Sequence, residues 1–304
     1  MSNDPRMTDK FRQLGDYEVH RAWEGFASIR QVSSGEIMHS RTDPMEEARK
    51  LYVEQSHLAQ RLSENPATAE PLVIWDVGLG GGANAMAAIE CYDSVPGARS
   101  LRLISCENDL DSLRLALARI EEFPYLRAEA ANAILSEGRW QSPDRRLTWD
   151  LLFGDFRETL GRAPAPDLVF YDMFSTKTSA ALWTLSTFRL LFEACSGRAV
   201  ELFTYTCSTA NRAALLAAGF FVARGRNAGE KVETTIAVTA AALGNPHQAE
   251  RDFLSADWLA KWGRSAAKFP GDVRVEEQPA FEKIIRGHEQ FRKFAGRERL
   301  PSTT

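Results

Sequence analysis

The sequence predicts an α/β protein with a mostly parallel, doubly wound sheet, and three features indicate this class. Short apolar, β-prone runs alternate with helical patterns through the middle of the chain. A glycine-rich turn follows the first of these runs, where a strand would meet a helix. The last two runs are joined by a loop too short for a crossover helix, so they should pair antiparallel. A chain of 304 residues can bury the sizeable core that such a sheet needs.

The predicted strands are apolar runs bounded by turn signals. In chain order they are 72–77, 101–107, 149–153, 167–173, 199–207, 220–226 and 234–241. The helical patterns between them are Ala83 to Tyr92, Asp109 to Phe123, Ala180 to Cys195 and Thr209 to Ala218. Gly219 follows the last pattern, where glycine commonly ends a helix.

The segments on either side of the predicted sheet differ from it in character. Residues 27–40 alternate around a Ser-Ser-Gly turn and predict a small hairpin, and Pro44 to Leu62 predicts an amphipathic helix. After the sheet, the chain is helical in pattern and partly basic. We therefore predict a hairpin and helix lobe over the active site at 1–66, a sheet domain at 67–244 and a helical extension at 245–304.

Composition limits the class of protein. Charged residues make up 26% and hydrophobic residues 44%, as in ordinary globular proteins. No apolar run approaches the roughly 18 residues of a membrane span, and the polar start lacks a signal-peptide core, so we expect a cytoplasmic protein without a membrane partner. The four cysteines (Cys91, Cys106, Cys195 and Cys207) show no zinc or C-x-x-C spacing, which indicates neither a metal site nor disulfides.

The overall charge and the local charge of the chain point in different directions with respect to binding nucleic acid. The net charge of −4 argues against binding through overall charge. Between residues 283 and 299, however, six basic residues outnumber two acids. We call these six the C-terminal basic cluster: Lys283, Arg286, Arg292, Lys293, Arg297 and Arg299. The cluster is either a solvated helix face or an RNA-contacting tail.

The glycine-rich turn is the segment most indicative of function. Residues 72–84 run from an apolar strand through Asp76 into glycines at 78, 80, 81 and 82. Glycines there let a ligand approach bare backbone. The spacing of Gly78, Gly80 and Ala83 also fits a dinucleotide site, but such a site places an acid about 20 residues on, whereas Glu107 follows Gly78 by 29 positions. A glycine turn without a ligand is the remaining alternative.

The glycine turn resembles that of the Rossmann-like methyltransferases that use S-adenosylmethionine (SAM). Their pattern [D/E]-x-G-x-G-x-G is matched in register by Asp76, Gly78, Gly80 and Gly82. A parallel sheet that finishes in an antiparallel hairpin is the usual plan of that fold. The resemblance implies SAM as cofactor and a seven-stranded sheet in the order 3-2-1-4-5-7-6.

Ligands of open α/β sheets bind beyond the carboxyl ends of the strands, near the point where strand order reverses. Glu107 closes the second strand and could accept both ribose hydroxyls, or it could cap the following helix. Asp155 follows the third strand and could accept from the adenine amino group, or it could form a turn. Asp76 is expected to order the amides of the glycine turn, and Asn84 is either a ligand contact or a polar group at a helix start.

Asp172 is the candidate catalytic residue. It closes the fourth predicted strand, across the reversal point from the glycine turn. Methyl transfer to an amine needs an acceptor without its proton, and a carboxylate can bind the ammonium and then accept that proton. The alternative is a structural carboxylate at the end of a strand.

Five ordered segments between about residues 28 and 240 resemble the MnmC-type methyltransferases, which methylate an aminomethyl group on the wobble uridine of certain tRNAs. They are Ser34 to Ser40 with Glu46 to Ala48, the turn from Asp76 to Asn84, Asp172 to Lys177 with Trp183 and Phe188, Thr204 to Thr206 with Arg212, Leu215 and Ala218 to Phe220, and Gly229 and Lys231 with Thr235 and Ala237. The resemblance implies that tRNA is the partner.

The resemblance also implies residues that bind the substrate. Glu36, His39 and Glu46 would belong to a lobe that roofs the active site, although His39 could be an ordinary surface histidine and Glu46 an exposed helix start. Phe174 and Trp183 could flank a flipped-out uracil, since aromatic faces stack on extruded bases; Trp183 could equally pack in the core. The remaining candidates lie in matched segments: Lys177 and Lys231.

The sequence departs from the family pattern in the substrate segment. Thr176 replaces an expected proline, and Met173 replaces a smaller residue. No second Rossmann fingerprint is present, so we expect a stand-alone methyltransferase without a flavin oxidase domain. The alternatives are a SAM enzyme with a small-molecule or protein acceptor, an aminopropyltransferase that shares the fold and a strand-four aspartate, and a catalytically silent SAM-binding protein.

Overall fold

The structure, a computed structural model, describes residues 13–39, 42–64, 70–195, 197–226 and 233–294. The chain divides into two compact units. The first comprises residues up to 164 together with 169–174, and the second comprises 165–168 and the residues from 175 onward. The predicted boundaries at 66 and 244 each fall inside one unit, and the three-part division therefore stays a prediction.

The first unit opens with a three-stranded antiparallel sheet. Its strands are β1 (Gln13–Leu14), β2 (Tyr17–Arg21) and β3 (Ala27–Gln31), in that spatial order. The predicted hairpin at 27–40 is therefore only partly right. The chain does turn back at Gly35, but the return leg forms one bridge, between Arg30 and Ile37, and the main partner of β3 is β2.

The predicted helix from Pro44 to Leu62 is interrupted. It consists of α1 (Pro44–Ala48), a π-helical turn (Arg49–Glu54) and α2 (Leu58–Ser63). His57 separates the last two pieces with a left-handed backbone, φ 54°. The apolar pattern is nevertheless real, since Leu51 and Leu58 are both buried. A π-helical turn contains one residue more than an α-helical turn. Together with the break at His57, it allows the apolar side chains on both sides of the break, such as Leu51 and Leu58, to face inward.

The main sheet of the first unit has strand order β8-β4-β5-β7-β6. These strands are β4 (Leu72–Val77), β5 (Leu101–Glu107), β6 (Arg139–Gln141), β7 (Leu147–Phe153) and β8 (Leu168–Tyr171), and the helices among them are α3 (Ala83–Ser94), α4 (Asp111–Ala118), α5 (Ala128–Glu137) and α6 (Phe156–Thr159). The predicted strands 72–77 and 101–107 are confirmed at both ends. Strands β4, β5 and β7 are parallel, whereas β6 pairs antiparallel with β7.

The second unit contains antiparallel strands in the order β12-β10-β11-β9. Its elements are α7 (Leu185–Ala194), β9 (Glu201–Thr204), α8 (Thr209–Ala218), β10 (Phe221–Gly225), β11 (Thr234–Val238), β12 (Asp252–Phe253), α9 (Ala256–Arg264), α10 (Gln278–Gly287) and α11 (Glu289–Lys293). The predicted hairpin is confirmed, with Phe221 opposite Val238. Counting only the predicted strands, the two units contain the partial orders 3-2-1-4 and 5-7-6.

The helical character of the C-terminal extension is confirmed, and its end is built into the second unit. Gln290 of α11 is fully buried and acts as a partner for strand β10. Its Oε1 accepts from Val222 N at 2.6 Å, while its Nε2 donates to Val222 O and Leu254 O, both at 2.8 Å. Four members of the C-terminal basic cluster are exposed (Lys283, Arg286, Arg292 and Lys293), whereas Arg297 and Arg299 lie outside the described residues.

Candidate functional site

The glycine turn between β4 and α3 has a backbone that other residues would not adopt easily. Gly78, Gly80 and Gly82 have φ of 97°, 51° and 85°. A Cβ on Gly78 would lie 2.5 Å from the carbonyl oxygen of Asp172. Gly82 precedes the first residue of α3, a helix of 12 residues. The turn thus brings backbone close to a helix start, the kind of place where anionic ligands bind. The amides of Gly78, Gly80 and Gly82 already donate to Cys106 O, Glu107 Oε2 and Leu79 O.

Glu107 holds the glycine turn. Its Oε2 accepts from Gly80 N at 3.0 Å, and its Oε1 accepts from the amides of Asn108 at 2.9 Å and Asp109 at 3.1 Å. Burial raises the pKa of Glu107 above its usual range, although the three amide bonds oppose that rise. Ser112 Oγ donates to Gly80 O at 3.0 Å and fixes the same residue from the other side.

Asp76 lies beneath the turn and is fully buried. Ser105 Oγ donates to its Oδ2 at 2.7 Å, and its Oδ1 has no hydrogen-bond partner within the described ranges. The prediction that Asp76 orders the amides of the turn is therefore wrong, since Glu107 does so for Gly80. Burial raises the pKa of Asp76 to about 7, and the nearby charges of Asp172 and Glu107 add to the rise.

Asp172 lies at the end of β8, next to the glycine turn. Its backbone N donates to Val77 O at 2.9 Å, which aligns the ends of β8 and β4. Asn84, in the first turn of α3, donates from Nδ2 to Asp172 Oδ2 at 2.9 Å. The structure thus gives Asn84 a role that the sequence did not predict: it fixes the carboxylate of Asp172.

Residues of the N-terminal lobe cover the glycine turn. Met38 Sδ lies 3.2 Å from where a Cβ on Gly80 would be, and Ile29 Cδ1 lies 3.2 Å from the equivalent point on Gly81. Tyr125 Oη donates to Gly81 O at 3.2 Å. Sequence reasoning assigned no role to Met38, Ile29 or Tyr125, because their proximity to the turn depends on tertiary packing.

In the lobe, His39 lies against Glu47, a residue for which no role was predicted. His39 Nδ1 lies 3.3 Å from Glu47 Oε2, and Glu47 is buried. Glu46, the predicted residue, is exposed and pairs with Lys50 one helical turn later. The sequence indicates this burial of Glu47, because the apolar Leu51 follows four positions later and residues four apart share one face of a helix. Glu36 is half-buried, and its carbonyl accepts from Gln31 N at 2.8 Å.

Asp155 caps α6. Its carboxylate accepts from Arg157 N at 2.9 Å and pairs with the Arg157 guanidinium, which keeps the pKa of Asp155 below its usual range. This helix cap is a structural role, closer to the predicted turn-forming alternative than to a ligand contact. A role toward adenine stays a prediction and would require Asp155 to share its oxygens with Arg157.

The candidate substrate residues after Asp172 have different surroundings. Phe174 is half-buried in the first unit, and Lys177 is exposed on a turn of the second. Trp183 is 2% exposed and packs edge-to-face on Phe188 and Tyr205. Because it is buried, Trp183 is a core residue in this structure and not an accessible platform for a base. Lys231 lies outside the described residues.

The described part of the chain lacks two kinds of feature. No three His, Cys, Asp or Glu side chains are grouped so that they could hold a metal ion. No helix there has the length and apolar character needed to cross a membrane.

Comparison with known proteins identifies relatives of the chain. Residues 120–240 match the model of a family described as S-adenosyl-L-methionine-dependent methyltransferase. Two relatives carry the name tRNA 5-methylaminomethyl-2-thiouridine biosynthesis bifunctional protein MnmC. The one from Ectopseudomonas mendocina is 30% identical over 80% of this chain and 37% of its own length, and the one from Aeromonas hydrophila is 29% identical over 66% and 32%. The chain therefore spans about a third of these relatives.

A solved structure supports the fold. The crystal structure of MNMC2 from Aquifex aeolicus superposes with a TM-score of 0.64, covers 95% of this chain and 90% of its own, and is 21% identical in sequence. At that identity the match shows a shared fold.

Proposed function

Because the chain is an MnmC-type, SAM-dependent methyltransferase, we propose that it methylates the 5-aminomethyl group of the wobble uridine in tRNA. The reaction would convert 5-aminomethyl-2-thiouridine to 5-methylaminomethyl-2-thiouridine. The observation that carries the proposal is the carboxylate of Asp172, fixed by Asn84 beside the glycine turn. We also propose tRNA as a partner and the cytoplasm as the location.

The residues of the glycine turn fit SAM. Gly78 and Gly80 have positive φ, and a Cβ there would meet Asp172 O and Met38 Sδ, so this tight turn beside Asp172 requires glycine. Glu107 closes β5 beside them with a carboxylate that could accept the ribose hydroxyls. When bound, SAM supplies a methyl group on a positively charged sulfur, ready for displacement. The fit supports Gly78, Gly80, Gly82 and Glu107 as cofactor residues.

In the proposed mechanism, Asp172 prepares the acceptor. Its Oδ2 is already bonded to Asn84, which leaves Oδ1 to bind the substrate ammonium. Asp172 would take a proton from that nitrogen and so free its lone pair for the methyl group that SAM would supply. The contribution of Asp172 is therefore to orient the acceptor nitrogen and to remove its proton.

The proposal is tested with purified protein, labelled SAM and tRNA that carries 5-aminomethyl-2-thiouridine. We expect label in that tRNA and none in an unmodified transcript, with a product nucleoside heavier by one methylene group. Transfer to the unmodified transcript would rule out an amine acceptor. Transfer only to a small amine or protein, or an aminopropyl product from decarboxylated SAM, would support the alternative enzymes instead.

We expect Glu107→Ala to weaken SAM binding by roughly tenfold to a hundredfold, because a charge-assisted hydrogen bond contributes about 1.5–3 kcal/mol. The substitution also removes the acceptor of the Gly80 N–H, which donates to Glu107 Oε2. Calorimetric titration with SAM measures the effect, and Glu137→Gln, an exposed acid at the end of α5, is the control. An unchanged dissociation constant for Glu107→Ala would place the ribose elsewhere.

The C-terminal basic cluster is the candidate contact for tRNA phosphates. Removing residues 283–304 is a poor test, because it would also remove Ile285, Gln290 and Phe294, all of which are buried. Arg286 and Lys293 lie over the rings of Trp262 and Phe221. Lys283 and Arg292 are exposed and are the better pair to change.

We expect Lys283→Gln with Arg292→Gln to raise the KM for tRNA and to make its salt dependence shallower by about 0.7–0.9 for each lost phosphate contact. The dissociation constant of SAM should stay as it was. Lys261→Gln, an exposed change in α9, is the control. If the double variant binds tRNA with the original salt dependence, these side chains are a solvated helix face.

A further inference from the structure

The surroundings of Asp76 favour a neutral carboxyl group. Trp149 Nε1 donates to Ser105 Oγ at 2.9 Å, so the hydroxyl hydrogen of Ser105 is left for Asp76 Oδ2, 2.7 Å away. No other side chain or backbone group of the described residues bonds Oδ1. An ionised carboxylate without solvent and with a single neutral donor is costly to bury, whereas a protonated one supplies its own donor.

The groups that face Asp76 add no positive charge. From β5, Glu107 lies near it, and from the end of β8 so does Asp172; both carry negative charge. Cys106, also on β5, is a neutral thiol, since burial raises its pKa to about 12. Two negative neighbours make ionisation of a third carboxyl less favourable, and they act in the same direction as burial, which raises the pKa of Asp76 to about 7.

Asn84 connects this buried acid to the candidate catalytic residue. Its Nδ2 donates to Asp172 Oδ2 at 2.9 Å, and a hydrogen bond from Asn84 to Asp76 would favour the ionised form of Asp76. The two carboxyl groups therefore compete for one amide. If Asp76 is neutral, the amide stays with Asp172. If Asp76 ionises, it draws the amide of Asn84 toward itself.

We propose that Asp76 acts in its protonated form as a positioning residue, which leaves the Asn84 amide to Asp172 and so fixes the orientation of the Asp172 carboxylate. The inference rests on the proposed role of Asp172. It gives Asp76 no contact with SAM or with the methyl acceptor. Removal of the charge should then be tolerated at Asp76 and should lower the activity strongly at Asp172.

The first test compares the melting temperature of the wild type with that of Asp76→Asn across pH. A carboxyl whose pKa is higher in the folded than in the unfolded protein stabilises the fold at low pH, and this contribution is lost as pH rises from about 4 to about 7. The neutral amide lacks that dependence. The melting temperature of the variant relative to the wild type should therefore increase between pH 5 and pH 8.

The control for this arm is Asp257→Asn, an exposed acid of α9, whose melting temperature should follow that of the wild type. If the melting temperature of Asp76→Asn also followed that of the wild type across pH, the proposal would be overturned, because Asp76 would then be ionised over the whole range from pH 5 to pH 8. This arm needs neither SAM nor tRNA, so it decides the state of Asp76 even if the proposed substrate is wrong.

The second test measures methyl transfer by Asp76→Ala and Asp76→Asn. We expect the alanine variant to lose at least tenfold in kcat, because the space left by the buried carboxyl group lets the Asn84 side chain move away from Asp172. The asparagine variant fills that space and should recover most of the loss. The kcat of Asp76→Asn relative to the wild type should increase with pH across the range near 7. If the asparagine variant is as impaired as the alanine variant while both fold, the negative charge of Asp76 is required and the proposal fails.

Discussion

Asp172→Asn should lower kcat for methyl transfer by about a hundredfold or more, the lower part of what a positioned acid–base group contributes. The substitution keeps the shape of the side chain, and its carbonyl oxygen can still accept from Asn84. It removes the negative charge that attracts an ammonium and the oxygen that can take a proton. Because Glu107 and the glycines are untouched, the dissociation constant of SAM should change little.

The measurement uses tRNA with 5-aminomethyl-2-thiouridine and labelled SAM, under single-turnover conditions so that product release does not hide the chemical step. Asp167→Asn is a matched control, since Asp167 immediately precedes the same strand, β8, and pairs with Arg198 at 3.1 Å. Near-normal turnover by Asp172→Asn would leave Asp172 with a structural role alone. A parallel loss in the Asp167 variant would indicate general damage to the strand.

The parts of the fold that the sequence predicted well are those in which local pattern and tertiary burial agree. Residues 72–77 form a continuous apolar run apart from one acid, and every residue of β4 is buried. Helix α8 begins and ends where its pattern and Gly219 predicted. The glycine turn was predictable for the same reason, because positive φ is a property of single residues that glycine tolerates.

The features that the sequence missed depend on contacts between distant residues. Strand β6 has the sequence Arg-Trp-Gln and is a strand only because it pairs with β7. The break at His57 gives no local signal, since histidine is uncommon at positive φ. The pattern of a single helix likewise could not show that Trp183 would be enclosed by Tyr205, which follows β9.

The candidate site was predicted as a set of residues but not as a network. Strand ends and the glycine turn placed Asp76, Glu107 and Asp172 near one another, and the structure brings these three together. The bonds were assigned differently: Glu107 holds the amide of Gly80, and Asn84 holds Asp172. Hydrogen-bond partners depend on side-chain directions to within an ångström, and spacing along the chain does not supply these.

Gly80→Val should abolish measurable binding of SAM while the protein remains folded. A β-branched residue at φ 51° is strained, at a cost of about 1–3 kcal/mol that a chain of this size can bear. The added Cβ would meet the Met38 side chain at 3.2 Å, and a thioether can move. The rest of the valine would cover the backbone surface where the ligand must approach.

The neighbouring glycines show why position 80 is the informative one. A Cβ on Gly78 would lie 2.5 Å from the backbone oxygen of Asp172, so Gly78→Ala would displace the candidate catalytic residue. A loss of SAM binding in that variant could then result from a distorted fold. Gly97 also has positive φ, 67°, with open space around it. Gly97→Val therefore imposes a similar backbone strain at a position outside the glycine turn. It is the matched control for the effect of strain alone.

Calorimetric titration with SAM and a melting curve should be recorded for both valine variants. We expect similar melting temperatures for the two, because each has one strained residue and no clash with backbone. SAM should bind to Gly97→Val with the affinity of the wild type and should give no heat with Gly80→Val. Wild-type affinity in Gly80→Val would mean that the cofactor does not lie on this backbone, and the assignment of the glycine turn would then be wrong.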